Sequence, residues 1–264
     1  TRCRSANFLA RWFVLSRTGV RPSMGLAHRD AAFSLVAMST DAQATFVKIC
    51  GLTREADVLD CVSAGANAIG FVMYPPSARH VSPERAGKLA KLLPPEVTPV
   101  LLFVNASLDE VQAACLAVPN ALLQFHGDES PFECDRLAQA VQRPYWRAAR
   151  IPTDNTASFD LVKFAQDYSN AQAILLDAHV DGYGGGGKTF KWSQLPPNVN
   201  AHLVLSGGLT PANVTDGIRQ LRPKALSLAV DVSSGVELEG HKGLKDTRKI
   251  QEFVAAVKAA DAIE

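Results

Sequence analysis

The amino-acid sequence predicts a single (β/α)8 barrel, preceded by an extension that lies outside the fold. From residue 46 onward, short apolar runs rich in Val, Ile, Leu and Phe alternate with amphipathic stretches, which is typical of repeated βα units around a parallel sheet. Eight such units follow one another, the number that closes a barrel. An open doubly wound sheet is the alternative, but its G-x-G-x-x-G fingerprint between the first strand and helix is missing.

Each unit begins with a strand candidate. In chain order these are FVKIC (46–50), AIGFV (68–72), PVLLFV (99–104), ALLQF (121–125), YWRAAR (145–150), AILLD (173–177), HLVLS (202–206) and ALSLAV (225–230). With the helices between them, they place the barrel over residues 45–264 as one domain.

Helix candidates follow every strand except the sixth. Several begin with Ser or Thr and then Pro or Glu, as in SPERAGKLAKLL, SLDEVQAACL and TPANVTDGIRQL. The sixth strand leads into a long glycine-rich loop, DGYGGGGKTFKW, with room only for a short helix around 192–195. Loops of this length inside a compact domain are usually functional.

Composition excludes several classes of protein. The chain's 27 Lys and Arg balance its 26 Asp and Glu, so its charge does not indicate a nucleic-acid or acidic-membrane partner. Its five cysteines are widely spaced, without a C-x-x-C pair, which predicts a reducing compartment and no structural zinc. No apolar run approaches the ~18 residues that span a bilayer. We therefore expect a cytoplasmic protein with no membrane partner.

Residues 1–37 differ from the rest of the chain. They contain six arginines, no lysine and one acidic residue, Asp30, and they show no clear periodicity. We expect a disordered N-terminal extension outside the domain. Translated upstream sequence before a start at Met38 is the interpretation that we favour, and an organelle transit peptide is the alternative.

Polar side chains recur where the predicted strands end, the position at which barrel enzymes carry their chemistry. The first strand ends in Cys50, the fourth leads to His126, the sixth ends in Asp177 and the eighth leads to Asp231. The second strand leads to PPSARHV, which contains Arg79. These side chains are expected at one rim of the barrel.

The last two strands are followed by small residues suited to binding phosphate. The seventh leads into SGGL, with Gly207 and Gly208, and the eighth into DVSSGVE, with Ser233, Ser234 and Gly235. Small residues let backbone N–H groups approach an oxyanion, and a helix N-terminus adds a favourable dipole. A phosphorylated ligand is therefore predicted.

The motifs KICGLT, GFVMYPPSARHV, LLFVN, LQFHG, ILLDA, GYGGGGKTF, LSGGLTPANV and VDVSSGVE resemble, in this order, those of the phosphoribosylanthranilate isomerases. The resemblance covers nearly the whole chain after residue 45. It implies an Amadori rearrangement of N-(5-phosphoribosyl)anthranilate to 1-(2-carboxyphenylamino)-1-deoxy-D-ribulose 5-phosphate in tryptophan biosynthesis. It also implies no cofactor and no metal, and a small-molecule phosphosugar as the partner.

The resemblance further implies roles for particular residues. Cys50 is the general base, Asp177 the general acid, and Arg79 faces the anthranilate carboxylate. His126 and Asp231 are assigned to the substrate side of the rim, although either could merely support a loop. Gly185, Gly186, Gly187 and Lys188 belong to a lid over the substrate.

A purely structural interpretation of Cys50 is a buried thiol, since free cysteine is among the most buried residue types. A catalytic thiol needs a lowered pKa, and Lys48, two residues earlier on the same strand face, is a source of positive charge. A carboxylate such as Asp177 is costly to bury at the end of an apolar strand unless it is paired or used. The KICG motif of the resemblance favours the catalytic interpretation of Cys50, and the cost of burial favours it for Asp177.

Three rival functions remain open at this point. A histidine-pathway sugar isomerase would have an aspartate where Cys50 stands, and an indole-glycerol-phosphate synthase would use a lysine as acid. A phosphosugar-binding barrel without activity is the rival from another class. The sequence leaves open whether the chain is a monomer or a homodimer.

Overall fold

The computed structural model describes residues 44–152, 159–178, 192 and 195–262. Eight parallel strands form one closed barrel in chain order, with the first paired to the eighth. They are β1 (Phe46–Cys50), β2 (Ala68–Val72), β3 (Thr98–Phe103), β4 (Leu122–Phe125), β5 (Tyr145–Ile151), β6 (Ala173–Ala178), β7 (His202–Leu205) and β8 (Ser227–Val232). The predicted barrel is confirmed.

Helices follow the strands in the expected pattern. The described α-helices are α1 (Glu55–Ala64), α2 (Pro83–Ala90), α3 (Leu108–Ala117), α4 (Pro131–Val141), α5 (Leu161–Asp167), α6 (Val214–Leu221) and α7 (Thr247–Asp261), with 3₁₀ helices at Arg222–Lys224 and Ser234–Val236. Within the described ranges, no helix is both long and apolar enough to cross a membrane. Of the short helix expected around 192–195, only the two end residues are described, and Leu195 N donates to Trp192 O at 3.3 Å.

The start of β8 differs from the sequence prediction. The strand runs two residues later than expected, because the 3₁₀ helix Arg222–Lys224 and a turn first bring the chain back to the barrel. Leu226, included in the predicted strand because it is apolar, lies in this turn and is 60% exposed. The shift places Asp231 inside β8 instead of just after it.

The start of α6 also differs. The Thr-Pro signal at 210–211 does not begin the helix, which starts at Val214. Asn213 Oδ1 accepts a hydrogen bond from Thr210 N at 2.8 Å, and this bond stabilises a turn before the helix. The residues of the SGGL loop are thereby held close to the end of β7.

The buried apolar residues form two clusters. The larger lies between the strands and the surrounding helices. The smaller fills the lower barrel interior and consists of Ala68, Val100, Leu122, Trp146, Ala148, Ala173, Leu175, Val204 and Ala229. Alanines on several strands leave room for the Trp146 indole, whose ring meets Phe46 edge-on with centroids 6.1 Å apart. The interior is therefore a packed core and not a channel.

Strand periodicity determines which polar groups point into the barrel above this core. Successive side chains alternate between faces, so residues two apart share one face. Leu175 belongs to the interior cluster, and Asp177 follows it on the same face of β6. Asp231 stands in the same relation to Ala229 on β8. The apolar interior thus gives way to charged groups at the carboxyl ends of the strands.

Candidate active site

The predicted rim residues converge at the carboxyl ends of the strands. Cys50, His126, Asp177 and Asp231 lie on or directly after β1, β4, β6 and β8, and each is buried, with between 5% and 6% of its surface exposed. Arg79, in the loop after β2, is 9% exposed. The structure therefore brings the five side chains to one end of the barrel, as expected from the sequence.

Cys50 ends β1 with its thiol directed against β2. A β-carbon on Gly70 would lie 2.7 Å from Cys50 Sγ and 3.1 Å from Lys48 Nζ, so glycine at that position makes room for both groups. Ser233 Oγ donates to the Cys50 carbonyl at 3.0 Å and fixes the end of the strand. The thiol is therefore held in one place among charged neighbours.

The expected lowering of the Cys50 pKa is wrong. Burial is the largest influence and raises the pKa of this thiol above its ordinary value. The positive charge of Lys48 opposes this effect, and the negative charge of Asp231 reinforces it. Desolvation disfavours the thiolate more than one lysine favours it, because the lysine is itself neutralised by a carboxylate.

Lys48 is fully buried inside the barrel and pairs with Asp231. Its Nζ lies 2.8 Å from Asp231 Oδ1, across the β1–β8 register that sets the two residues side by side. Burial alone would lower the pKa of Lys48, but Asp231 and Cys50 together raise it above its ordinary value. Asp231 therefore points into the barrel, which answers the question that the sequence left open.

Asp177 is held by His126. The imidazole Nε2 lies 3.0 Å from Asp177 Oδ2, and Nδ1 lies 3.1 Å from Gln124 Nε2. With the Gln124 amide in this orientation, Nδ1 accepts a hydrogen bond and Nε2 carries the ring proton that it donates to the carboxylate. His126 thus orients the carboxyl group and leaves Asp177 Oδ1 as the oxygen with no imidazole contact.

Arg79 forms a bidentate ion pair that the sequence analysis did not anticipate. Its Nε and Nη2 donate to Glu237 Oε1 and Oε2 at 2.7 and 2.9 Å. The arginine stem lies over Gly51, where a β-carbon would come within 2.5 Å of Arg79 Cδ. The glycine of KICG, with φ of +81°, is therefore needed to seat this arginine.

The two predicted phosphate loops lie against each other and against Asp177. A β-carbon on Gly235 would lie 1.9 Å from Leu209 O, and one on Gly207 would lie 2.6 Å from Ala178 N and 2.9 Å from Asp177 Oδ1. Gly207 and Gly208 have φ of +78° and +65°. Glycine is required where backbone approaches backbone this closely.

The serines of the second loop differ in their surroundings. Ser233 uses its hydroxyl on the Cys50 carbonyl, so its side chain is already engaged. Ser234 begins the 3₁₀ helix Ser234–Val236, with Gly235 in its middle. The backbone of this short turn, and the Ser234 side chain, remain as the parts suited to a phosphate.

The four residues predicted to belong to a lid, Gly185, Gly186, Gly187 and Lys188, lie outside the described residues. Among the residues that are described, no group of three or more His, Cys, Asp or Glu could hold a metal ion.

Glu237, Lys245 and Glu129 are among the buried polar residues that the sequence did not predict. Glu237 and Lys245 pair at 3.1 Å behind the rim, and Glu129 Oε2 accepts from Gly127 N at 2.9 Å beneath the loop after His126. A signal was present for Glu237, which directly follows SSGV in the same motif. Lys245 and Glu129 lie in ordinary polar stretches, where exposed side chains are the usual expectation.

Known proteins share this fold and these motifs. The family model for N-(5'-phosphoribosyl)anthranilate (PRA) isomerase matches residues 47–256. A relative from Methylibium petroleiphilum, named N-(5'-phosphoribosyl)anthranilate isomerase, is 58% identical over 218 residues, which cover 83% of this chain and 96% of the relative.

Solved structures agree with the sequence comparison. One reports monomers of the dimeric Thermotoga maritima enzyme, with a TM-score of 0.67, 35% identity and coverage of 81% of this chain and 99% of that one. Another shows a phosphoribosylanthranilate isomerase in complex with reduced 1-(o-carboxyphenylamino)-1-deoxyribulose 5-phosphate, with a TM-score of 0.68, 35% identity and the same coverage. The chain therefore belongs to the N-(5'-phosphoribosyl)anthranilate isomerase family.

Proposed function

We propose that the rim of this barrel performs the isomerisation by general acid–base catalysis, with Cys50 as base and Asp177 as acid. As a member of its family, the chain is an aldose–ketose isomerase that converts N-(5-phosphoribosyl)anthranilate to 1-(2-carboxyphenylamino)-1-deoxy-D-ribulose 5-phosphate in tryptophan biosynthesis. The observation that carries the assignment of roles is that the thiol and the carboxyl group are both buried and both at the same barrel end, on β1 and β6.

The proposed chemistry has three steps. Asp177 gives a proton to the furanose oxygen, and the ring opens to a Schiff base. Cys50, as thiolate, removes the C2′ proton, and the resulting enolamine relaxes to the ketone. We assign the transferable proton to Asp177 Oδ1, because Oδ2 is held by His126.

Recognition of the substrate uses its two negatively charged ends. Arg79 is proposed to face the anthranilate carboxylate, for which the guanidinium offers a planar pair of donors. The phosphate is proposed to lie against Gly207, Gly208, Ser234 and Gly235, with Ser233 contributing backbone only. His126 and Asp231 are proposed to act through their neighbours. His126 orients Asp177, and Asp231 pairs with Lys48.

The remaining proposals concern the molecule as a whole. Residues 45–264 are proposed to carry the full activity, and residues 1–37 to be dispensable. The family match beginning at residue 47 and the 96% coverage of the Methylibium relative support this. We also propose a cytoplasmic enzyme that acts on a small phosphosugar without a cofactor, as a monomer or as a homodimer.

Turnover and binding together separate an isomerase from a barrel that only binds phosphosugars. Purified chain is mixed with freshly generated N-(5-phosphoribosyl)anthranilate, and the reaction is followed by fluorescence, while affinity for the reduced product named above is measured by calorimetry. We expect turnover, and inhibition by the reduced product. Tight binding of the reduced product with no turnover would instead favour the non-catalytic barrel.

A further inference from the structure

A buried charge cluster lies behind the rim, between the loop after β2 and the segment that joins β8 to α7. Its centre is Glu237, which is 5% exposed. The carboxylate accepts from Arg79 Nε and Nη2, from Gly243 N at 3.0 Å and from Lys245 Nζ at 3.1 Å. Burial raises the pKa of Glu237, but Arg79 and Lys245 outweigh it and bring that pKa below its ordinary value. Glu237 is therefore a negatively charged carboxylate that accepts these four hydrogen bonds.

The ion pair determines how Arg79 is presented. A guanidinium has two edges that can grip a carboxylate, one formed by Nε and Nη2 and the other by Nη1 and Nη2. Glu237 occupies the first edge with bonds of 2.7 and 2.9 Å. The second edge is left for a ligand, and its direction is fixed because Glu237 holds the first edge and the arginine stem lies against Gly51.

The same carboxylate is linked to the phosphate loop and to the base. Lys245 is 3% exposed, and its Nζ donates to Ser233 O at 3.0 Å as well as to Glu237. Ser233 Oγ in turn donates to the carbonyl of Cys50. One chain of hydrogen bonds thus runs from Arg79 through Glu237 and Lys245 to the start of the Ser233–Gly235 loop.

We propose that Glu237 is a positioning residue for recognition of the substrate carboxylate: it fixes the direction of Arg79, while the phosphate loop keeps its separate bonds to Lys245 Nζ and to the Cys50 carbonyl. The inference rests on the proposed role of Arg79. It adds a residue that touches neither end of the substrate yet controls discrimination for the carboxyl group.

A purely structural role is the competing explanation. Removing one partner of a buried ion pair leaves the other charge without compensation and weakens the whole fold. Such a loss would reduce binding of every ligand by the same factor. A positioning role would reduce binding only of those ligands that carry the carboxyl group.

Two ligands separate these explanations. The first is reduced 1-(o-carboxyphenylamino)-1-deoxyribulose 5-phosphate, called the reduced product. The second is the same compound made from aniline, which lacks the carboxyl group. Calorimetry gives the ratio of their dissociation constants for each variant. For the wild type we expect a preference of about 10- to 100-fold for the carboxylated ligand, the range for a hydrogen-bonded charge pair.

The variants are Glu237→Gln, Glu237→Asp and Arg79→Met. We expect Glu237→Gln to lose most of the preference while keeping wild-type affinity for the aniline analogue. Glu237→Asp keeps the charge, guards against a variant that fails to fold, and should retain an intermediate preference.

The outcomes distinguish the inference from its premise. If Glu237→Gln weakens both ligands equally while Arg79→Met abolishes the preference, Glu237 is only structural and the proposal is overturned. If Arg79→Met leaves the preference intact, the proposed role of Arg79 fails, and the proposal for Glu237 fails with it.

Discussion

Neighbouring charges and burial change the pKa of the Cys50 thiol in opposite directions. Burial and Asp231 disfavour the thiolate, whereas Lys48 and the more distant Lys245 favour it. The net result is a raised pKa, so the thiol form predominates in the free enzyme near neutral pH. If Cys50 is the base, as proposed, the reaction gains rate when the solution becomes more alkaline.

The pH dependence of kcat/KM tests this directly. A group with a raised pKa loses its proton only at higher pH, so kcat/KM should rise from pH 7 towards the alkaline side, until the thiol is deprotonated or the protein unfolds. A stopped assay over this range, with circular dichroism at each pH, gives the measurement. A profile that is flat or falls between pH 7 and 9 would contradict the thiolate as base.

His126 offers a second test at a single residue. His126→Asn removes the contact with Asp177 Oδ2 and frees the carboxyl group to rotate. We expect kcat to fall by about 10²-fold, the usual scale for misplacing a catalytic group by about 1 Å, with affinity for the reduced product little changed. Steady-state kinetics and calorimetry measure the two quantities. Unchanged kcat would show that Asp177 needs no orientation by the imidazole.

Sequence reasoning located the rim residues but not their partners. Cys50, Asp177 and Asp231 were expected at the rim because each stands where a predicted strand ends, which is local information. The bond between Arg79 and Glu237 joins residues 158 positions apart, and nothing in either segment specifies that contact. The sign of the Cys50 pKa shift depended on burial, which the sequence does not give.

Two of the three quoted helix-start signals were correct at the level of elements. Ser107 forms a capping box, in which its side chain accepts from Glu110 N and the Glu110 side chain accepts from Ser107 N. Ser82 caps α2 in a simpler way, accepting from Arg85 N. Boundaries were less certain where a turn intervened, as before α6 and β8, because turns are formed by contacts that local propensity does not encode.

Removing one cap should affect stability but not catalysis. Ser107→Ala deletes the two hydrogen bonds of the Ser107 hydroxyl, with Glu110 N and Glu110 Oε2, at the exposed start of α3, and leaves the bond from Ser107 N to Glu110 Oε2. We expect the free energy of unfolding to fall by about 1 kcal/mol with unchanged kcat. Urea denaturation gives the value, and Ser82→Ala serves as the matched control with a similar or smaller loss. A fall in kcat would show that α3 reaches the site.

At the level of the whole molecule, the first strand and the last helix are joined beside the strand pairing that closes the barrel. Thr45, just before β1, donates from its N and Oγ1 to Asp261 at 2.9 and 2.6 Å, and Asp261 ends α7. Arg222 also donates to Asp261 and, at 2.8 Å, to Thr45 Oγ1. This cluster holds the last helix against the first strand, beside the β1–β8 pairing.

Asp261→Asn tests the contribution of this cluster. The change removes the charge that gathers three donors, and we expect the free energy of unfolding to fall by about 2 kcal/mol. For a domain of this size that corresponds to a melting temperature lower by about 4–8 °C. Calorimetry measures it, and kcat should be unchanged because the cluster lies at the amino end of β1, away from the rim. No change in melting temperature would show that the strand pairing alone closes the barrel.

The overall architecture was accessible from sequence for a physical reason. Eight βα units in succession have few ways to bury their apolar faces, and closure into a barrel is the one that leaves no sheet edge exposed. The need for glycine at positions 51, 70 and 207 comes from contacts with other strands and loops, which the local sequence does not reveal. Fold class is thus set by periodicity along the chain, whereas the site is set by contacts across it.

The most direct test of the account is the kcat of Cys50→Ser and Asp177→Asn, measured with N-(5-phosphoribosyl)anthranilate at equal concentrations of folded protein. Cys115→Ala, a buried thiol on α3 away from the rim, is the control. We expect each rim variant to lose about 10²- to 10⁴-fold in kcat and the control to match wild type. Wild-type turnover by Cys50→Ser would make Cys50 a buried strand-end residue, and the base would have to be sought elsewhere on the rim.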